Sequence, residues 1–252
     1  MTGFSANLGF LWADLPLPDA IRAAHRAGFD AVECHWPYDF DPAAVKAALD
    51  ETGLAMLGLN TNRGKPGENG LSALPGREVE ARAEIDRAIA YARAIGCGAI
   101  HVMAGYGKGA VADAIFIGNL TYACQTAPEL TILIEPLNRY DAPGYFLAGT
   151  AQAADLMIKA HQPNLRLMFD CYHLQIMEGD LSRRLEKLLP LIGHVQIAAV
   201  PDRGPPDHGE VDYRHIVGVL RDLGWDRPLG AEYKPSGPTD ASLGWLDLLR
   251  AV

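Results

Sequence analysis

Eight short apolar segments recur along the chain, and longer segments with helical spacing separate them. The apolar segments are apolar throughout, without a regular polar alternation. This pattern is typical of parallel strands that are buried on both faces. The predicted strands span residues 4–10, 29–34, 54–60, 99–105, 131–136, 165–170, 194–198 and 228–233.

The intervening segments carry the start and stop signals of helices. Asp41 and Pro42 predict an N-cap and a first helical position, and Gly53 predicts the end of that helix. A loop rich in Gly, Pro and Asn spans residues 61–76, and loops of that length in a domain are usually functional or a lid. The other predicted helices span residues 16–27, 77–95 (ended by Gly96), 111–125, 150–161, 181–189, 213–223 and 241–251.

Eight strand–helix units in 252 residues amount to about 31 residues per unit, which is the rhythm of a (β/α)8 barrel. We therefore predict an α/β fold, a (β/α)8 TIM barrel that forms a single domain over residues 1–252. A doubly wound open sheet is the alternative. The first strand is not followed by GxGxxG, and the glycine-rich segments lack GxxxxGK[ST], so a nucleotide-binding fold has no support.

Charge and cysteine content restrict the partners and the compartment. The net charge is −9, and phosphate neutralisation needs clustered cations, so we predict no nucleic-acid partner. The four cysteines form no CxxC pair, which favours a reduced, cytoplasmic location. No apolar run reaches the roughly 18 residues of a membrane span, and the first residues lack the basic segment of a signal peptide. We predict no membrane partner.

Four polar residues stand at the ends of predicted strands in the second half of the chain. They are Glu135, Asp170, Gln196 and Glu232, at intervals of 35, 26 and 36 residues. The C-terminal ends of barrel strands converge on one mouth, so these side chains are expected to meet. Three crowded carboxylates would repel one another unless a cation lay between them. Oxygen ligands favour a divalent metal such as Mg²⁺ or Mn²⁺, and we predict such a centre.

Four further residues are candidates for substrate binding. His173 follows Asp170 by three residues and is expected to face the mouth, for substrate contact or for orienting a carboxylate. His101 lies within a strand, either as a hydrogen-bonded core histidine or as a substrate ligand. Lys234 and Arg63 are each either solvated surface cations or partners for an acidic group of a substrate.

Several longer motifs are more specific than this spacing. They are ILIEPLN, GYFL, FDCYHLQIMEGDL, HVQIA, GEVDY and AEYKP, with the loop GENGLSALPGRE at 67–78 and the strand IHVMAG. Together they resemble the hydroxypyruvate isomerase family, within the xylose-isomerase-like sugar isomerase and epimerase barrels. The resemblance runs from about residue 4 to residue 246, and DxYHxQIMEGD is its most specific part.

The resemblance implies a metal site from the same four residues and an acid–base pair of Glu135 and Glu232. Gln196 stands where ketose 3-epimerase relatives usually carry His. The implied activity is an aldose–ketose type isomerisation of hydroxypyruvate to 2-hydroxy-3-oxopropanoate (tartronate semialdehyde), or of a related small 2-oxo acid. The metal would stabilise an enediolate while the two glutamates transfer the proton. The implied partner is a small-molecule substrate, and a homodimer or homotetramer is expected.

The chain departs from the family pattern at three positions that bear on the substrate. Asn69 stands in GENG where relatives often have GERG, Ala199 replaces an Asp, and His208 appears in the loop AAVPDRGPPDHGE. A 2-oxo-tetronate isomerase and a ketose 3-epimerase are therefore alternatives. Two other classes are disfavoured. A nuclease of the endonuclease IV type needs many His ligands and a basic groove, and a non-catalytic sugar-binding barrel would not need the two glutamates.

Overall fold

The strands form a ring of parallel neighbours, in a computed structural model that describes residues 2–252. The strands are β1 (Phe4–Asn7), β2 (Ala31–Glu33), β3 (Ala55–Met56), β4 (Leu59–Asn60), β5 (Ala99–His101), β6 (Thr131–Ile134), β7 (Leu165–Asp170), β8 (Ile192–Ile197) and β9 (Leu229–Ala231). The helices are α1 (Leu17–Arg26), α2 (Pro42–Thr52), α3 (Glu78–Ile95), α4 (Gly109–Thr126), α5 (Thr150–Ala160), α6 (Cys171–Met177), α7 (Leu181–Leu188), α8 (Tyr213–Asp222) and α9 (Trp245–Arg250).

The sheet order is β3-β2-β1-β9-β8-β7-β6-β5-β4, and both of its ends belong to the predicted third strand. β3 pairs with β2 and β4 pairs with β5, so this segment closes the ring. The predicted (β/α)8 barrel is confirmed. The prediction of one continuous strand over 54–60 is wrong, because each half follows a different neighbour. At the break, the Leu57 amide donates to the Val32 carbonyl, and the Gly58 carbonyl accepts from the Cys34 amide.

Five predicted strands are shorter in the structure, and they correspond to β1, β2, β5, β6 and β9. β1 ends at Asn7, whose side-chain oxygen accepts a hydrogen bond from the backbone amide two residues later. β5 ends at His101 instead of continuing to residue 105. The residues after β5 contact the long loop 61–76, where the Ala73 amide donates to the Ala104 carbonyl at 2.8 Å. This pairing holds the loop against the mouth of the barrel.

The helix signals at α2 and α3 are confirmed. A carboxylate oxygen of Asp41 accepts from the Ala43 amide at 3.0 Å, and Gly53 and Gly96 end their helices at φ 71° and 73°. At such left-handed positions a glycine avoids the steric penalty of a Cβ atom. The short helix α6 was not predicted, and it begins directly after Asp170. The predicted final helix 241–251 is shorter, because a 3-10 turn at Thr239–Ser242 precedes α9.

The core lies inside the barrel and between the barrel and its helices. Phe4 on β1 packs edge-on against Trp245 on α9, with ring centroids 5.3 Å apart. Both side chains are fully buried, so the last helix is fastened to the first strand by apolar contact. Over residues 2–252, the helices include none with the length and hydropathy needed to cross a bilayer.

Candidate active site

The strand ends bring the four predicted ligands together at one mouth of the barrel. Asp170 lies beside Gln196 in the pairing of β7 with β8, and Gln196 lies beside Gly230 of β9. Glu135 directly follows β6, and Glu232 directly follows β9. All four side chains are buried. Atoms of Glu135, Asp170, Glu232 and the neighbouring His173 lie within 4.8 Å of one another.

Three oxygens of this cluster lack a hydrogen-bond partner. Glu135 Oε1, Asp170 Oδ2 and Gln196 Oε1 are buried, and among the described residues none donates a hydrogen bond to them. A buried oxygen without a donor is costly unless a cation or a ligand satisfies it. Each of these atoms belongs to a predicted metal ligand, and all are hard oxygen donors. The residues present therefore fit a divalent cation.

His173 faces the same carboxylates, but its tautomer favours a different role. The backbone amide of Asn138 donates to His173 Nδ1 at 3.0 Å, so the ring proton lies on Nε2. Nε2 is 3.6 Å from Asp170 Oδ2 and 3.9 Å from Glu135 Oε1. Burial and nearby Arg203 lower the pKa of His173 to about 3, so the ring is neutral. It presents an N–H donor to the site and has no free lone pair for a metal.

Arg203 is a site residue that the sequence reasoning missed. Its guanidinium donates to Glu232 at 2.7 Å and lies 3.9 Å from Asp170. The side chain is only 12% exposed and stacks between the rings of Phe10 and Tyr172. Its backbone has φ 56°, a strained conformation for a residue with a side chain. The residue lies in a long loop without regular structure, so no periodic signal marks it.

Burial and crowding set the protonation of the carboxylates. Burial, with repulsion from Glu232 and Asp170, raises the pKa of Glu135 far above its ordinary value. Burial and the charge of Glu232 raise the pKa of Asp170 to about 8. Burial would also raise the pKa of Glu232, but Arg203 and the hydrogen bond from His35 outweigh it and hold that pKa well below normal. The protein alone thus pairs a protonated glutamate with an ionised one.

A cavity of about 130 Å³ opens onto this cluster. Its lining includes Glu135, Glu232, His173, His101 and Arg203. Burial lowers the pKa of His101 to about 4, and both of its ring nitrogens lack a partner within residues 2–252. The structure thus brings His101 and His173 to the cavity, and their role in substrate binding stays a prediction.

The other two predicted substrate residues are not part of this lining. Arg63 is exposed, stacks on Trp36 and donates to Asn69, which does line the cavity. Lys234 is also exposed, and its ammonium lies 5.5 Å from the ring of Phe10. Both cations therefore lie near the rim, and a direct role for them stays a prediction.

A second layer of polar residues lies beneath the cluster and was also missed. Asn7 and Glu33 end β1 and β2, whereas His35, which follows β2, lines the cavity itself. His35 Nε2 is 2.8 Å from Glu232 Oε1, and Asn7 Nδ2 donates to both Glu232 and Glu33. Polar residues at the ends of apolar strands were the signal that identified the four ligands. The same signal in the first half of the chain would have found Asn7 and Glu33.

The fold and this site identify the class of protein. The chain belongs to the xylose isomerase-like TIM barrel family, whose model matches residues 21–249. Two relatives indicate a narrower group within this family. The chain is 42% identical to a putative hydroxypyruvate isomerase of Mus musculus, over 96% of this chain and 93% of that protein. It is also 42% identical to a 2-oxo-tetronate isomerase of Cupriavidus necator, over 98% of each. The predicted membership in the hydroxypyruvate isomerase family is confirmed.

Solved structures support the same fold. A crystal structure described as AP endonuclease, family 2 from Brucella melitensis aligns with a TM-score of 0.94 and 39% identity, over 98% of this chain and 99% of that one. The 3-keto-D-glucoside 4-epimerase of E. coli aligns with a TM-score of 0.82 at 22% identity, over 100% and 99%. At 22% identity, the similarity to the epimerase shows a shared fold and no more.

Proposed function

We propose that the protein is an isomerase that converts hydroxypyruvate to 2-hydroxy-3-oxopropanoate, or acts on a closely related short 2-oxo acid. The observation that carries this proposal is the set of unpartnered buried oxygens from Glu135, Asp170 and Gln196 beside Glu232. The names of the two isomerase relatives support the same reaction class.

Glu135, Asp170, Gln196 and Glu232 would hold a divalent cation, with Mg²⁺ or Mn²⁺ preferred by an all-oxygen donor set. Such a cation polarises a substrate carbonyl and its neighbouring hydroxyl, which acidifies the hydrogen on the carbon between them. The buried mouth would keep the reacting carbons away from bulk water. These four residues are the proposed ligands, and the reaction would take place beside the cation that they hold.

Glu135 and Glu232 would move the proton. They follow β6 and β9 and line the same cavity. Removal of a proton from C3 of hydroxypyruvate and its return at C2, with the hydroxyl proton passing from O3 to O2, gives the product in balance. One of these two carboxylates would remove the proton, and the same or the other would return it. His173 would donate its Nε2–H to a substrate oxygen.

The cavity favours a short anionic substrate. Its volume of about 130 Å³ is well below the roughly 300–1,000 Å³ of sites for drug-sized ligands. Arg203 supplies a cation at its wall and would bind the substrate carboxylate. His101 offers a neutral nitrogen, while Arg63 and Lys234 would act from the rim. A four-carbon 2-oxo-tetronate is the second candidate, favoured by the relative from Cupriavidus necator.

The decisive experiment follows hydroxypyruvate by NMR with purified protein, with and without EDTA and with added Mg²⁺ or Mn²⁺. We expect conversion to the semialdehyde that EDTA abolishes. Glu135→Gln and Glu232→Gln should each lower kcat by about 100-fold or more. Glu178→Gln is the matched control, because Glu178 binds Thr150 outside this cavity. Turnover of a ketohexose with no turnover of C3 or C4 acids would overturn the substrate class.

The remaining expectations belong to the same proposal. The barrel sheet draws strands from residue 4 to residue 231, which supports one domain over residues 1–252. Four free cysteines, all buried, support a reducing cytoplasmic location. The homodimer or homotetramer stays a prediction of the family resemblance.

A further inference from the structure

Glu33 lies in the second layer, with both carboxylate oxygens engaged. Oε1 accepts from Gln196 Nε2 at 2.7 Å and from Asn7 Nδ2 at 3.0 Å. Oε2 lies 2.5 Å from His194 Nε2 and accepts from Ser5 Oγ at 3.3 Å. An ionised carboxylate only accepts hydrogen bonds, so it suits this ring of donors. The side chain is 4% exposed, and these contacts fix it beneath the mouth.

This arrangement determines which end of the Gln196 amide faces the proposed ligands. The nitrogen of Gln196 points at Glu33, and the opposite atom, Oε1, is buried and unpartnered within the described chain. A reversed amide would place its oxygen against a carboxylate oxygen, and two acceptors at hydrogen-bond distance repel. Without such a neighbour, no hydrogen bond from Gln196 to the protein would favour one orientation of its amide over the other.

Gly230 on β9, the strand next to β8, leaves space for the pair of Glu33 and His194. A Cβ atom at Gly230 would lie 2.7 Å and 2.8 Å from the two Glu33 oxygens and 2.8 Å from His194 Nε2. Gly230 is not among the glycines with positive φ, so its backbone does not require glycine. The glycine at position 230 therefore leaves space for Glu33 and His194, and its backbone conformation is not the reason for it.

We propose that Glu33, held by His194, is a positioning residue that presents the Gln196 oxygen to the divalent cation. The inference rests on the cation of the proposed function, but it does not depend on which substrate is used. Asn7 extends the same network, because its amide nitrogen also donates to Glu232 Oε1 at 3.2 Å. Two of the four proposed ligands are thus oriented from below by one hydrogen-bonded layer.

The test measures Mn²⁺ affinity by calorimetry on metal-stripped protein. We expect Glu33→Met, which removes both acceptor oxygens at similar side-chain length, to weaken binding by about 10- to 100-fold, as is typical when a partner of a metal ligand is removed. Glu178→Met, the matched carboxylate variant outside the site, should bind Mn²⁺ as the parent protein does. The visible spectrum of bound Co²⁺ should change in Glu33→Met and not in Glu178→Met, which a purely structural role would not produce.

Gly230→Ala is a second variant that keeps every proposed ligand, and it decides the test if Glu33→Met does not fold. It should also weaken Mn²⁺ binding, whereas Gly118→Ala, in open space on α4, should not. Mn²⁺ affinity within twofold of the parent in Glu33→Met, or in Gly230→Ala if Glu33→Met does not fold, would overturn the inference. A parent protein that binds Mn²⁺ but isomerises nothing refutes only the proposed function. A parent that binds no divalent metal refutes both.

Discussion

At the scale of single residues, burial and one arginine decide how this site is charged. Glu135 and Asp170 hold protons more tightly than ordinary carboxylates, whereas Glu232 beside Arg203 stays ionised. A proton donor and a proton acceptor therefore face one cavity from two strands. The crowded carboxylates would repel one another if all of them were ionised without a counter-charge. A cation between them would remove that repulsion, which is why the cluster suits one.

The raised pKa of Asp170 predicts pH-dependent metal binding. Its folded value of about 8 exceeds its ordinary 3.8, so the stability it contributes to the metal-free protein is lost as the pH rises towards 8. A cation must displace that proton and the one held by Glu135, so Mn²⁺ affinity should rise between pH 6 and 8 by up to about tenfold per unit for each proton displaced. Calorimetry in buffers of different ionisation heat would measure the released protons.

The control for this prediction is His208, an exposed residue whose pKa is raised because it donates hydrogen bonds to the carboxylates of Asp202 and Asp207. It is not one of the proposed ligands. His208→Gln should leave the slope of affinity against pH unchanged. An affinity that is constant from pH 6 to 8 in the parent protein would show that Asp170 is already ionised without metal.

At the scale of elements, the ends of strands carry the chemistry and neighbouring helices hold those ends in place. Tyr213, the first residue of α8, donates to the Ala198 carbonyl at 2.6 Å and accepts from the Ala198 amide at 3.2 Å. Ala198 directly follows β8, two residues after Gln196. One buried hydroxyl thus satisfies both backbone groups at the point where β8 leaves the barrel.

Removing that hydroxyl should destabilise the protein measurably. Tyr213→Phe leaves the buried amide and carbonyl of Ala198 without this partner, and we expect a loss of about 1–3 kcal/mol in the free energy of unfolding. Urea denaturation of metal-free protein gives the value. Tyr140→Phe is the matched control, because Tyr140 is exposed and should change stability by less than about 0.5 kcal/mol. An equal effect of the two substitutions would refute the anchoring role.

At the scale of the whole molecule, the net charge disfavours binding to nucleic acid, although the fold resembles that of a structure described as an endonuclease. The structure described as AP endonuclease, family 2 from Brucella melitensis shares the fold at a TM-score of 0.94. The present chain carries a net charge of −9. Over residues 2–252, the acidic, histidine and cysteine side chains form one group able to hold a metal. An acidic surface repels the phosphate backbone, and one such group does not make a multinuclear centre.

We therefore predict no cleavage of duplex DNA that contains an abasic site. Incubation of a labelled oligonucleotide with the protein and Mg²⁺, Mn²⁺ or Zn²⁺, followed by a denaturing gel, should leave the strand intact. The matched sample is Glu135→Gln protein, which exposes any contaminating nuclease because its background would be the same. Cleavage by the parent protein that disappears in this variant would refute the prediction.

Local pattern alone was enough to predict the barrel and the meeting of four polar residues at its mouth. Apolar strands that recur about every 31 residues, with helices between them, are compatible with only a few sheet architectures. Polar residues at the C-terminal ends of such strands are expected near one mouth, because all the strands point the same way. That is why Glu135, Asp170, Gln196 and Glu232 were predicted together without knowledge of any contact.

The tertiary structure alone decided the rest, because those features depend on distant segments meeting. Gln196 and Glu33 are 163 positions apart, and only barrel closure brings them to hydrogen-bond distance. Arg203 reaches the carboxylates from an irregular loop whose conformation no periodicity encodes. The third strand breaks at Leu57 and Gly58 because its halves pair with different neighbours. The periodic sequence thus specifies the order of strands and helices along the chain, whereas ring closure specifies which side chains meet at the mouth.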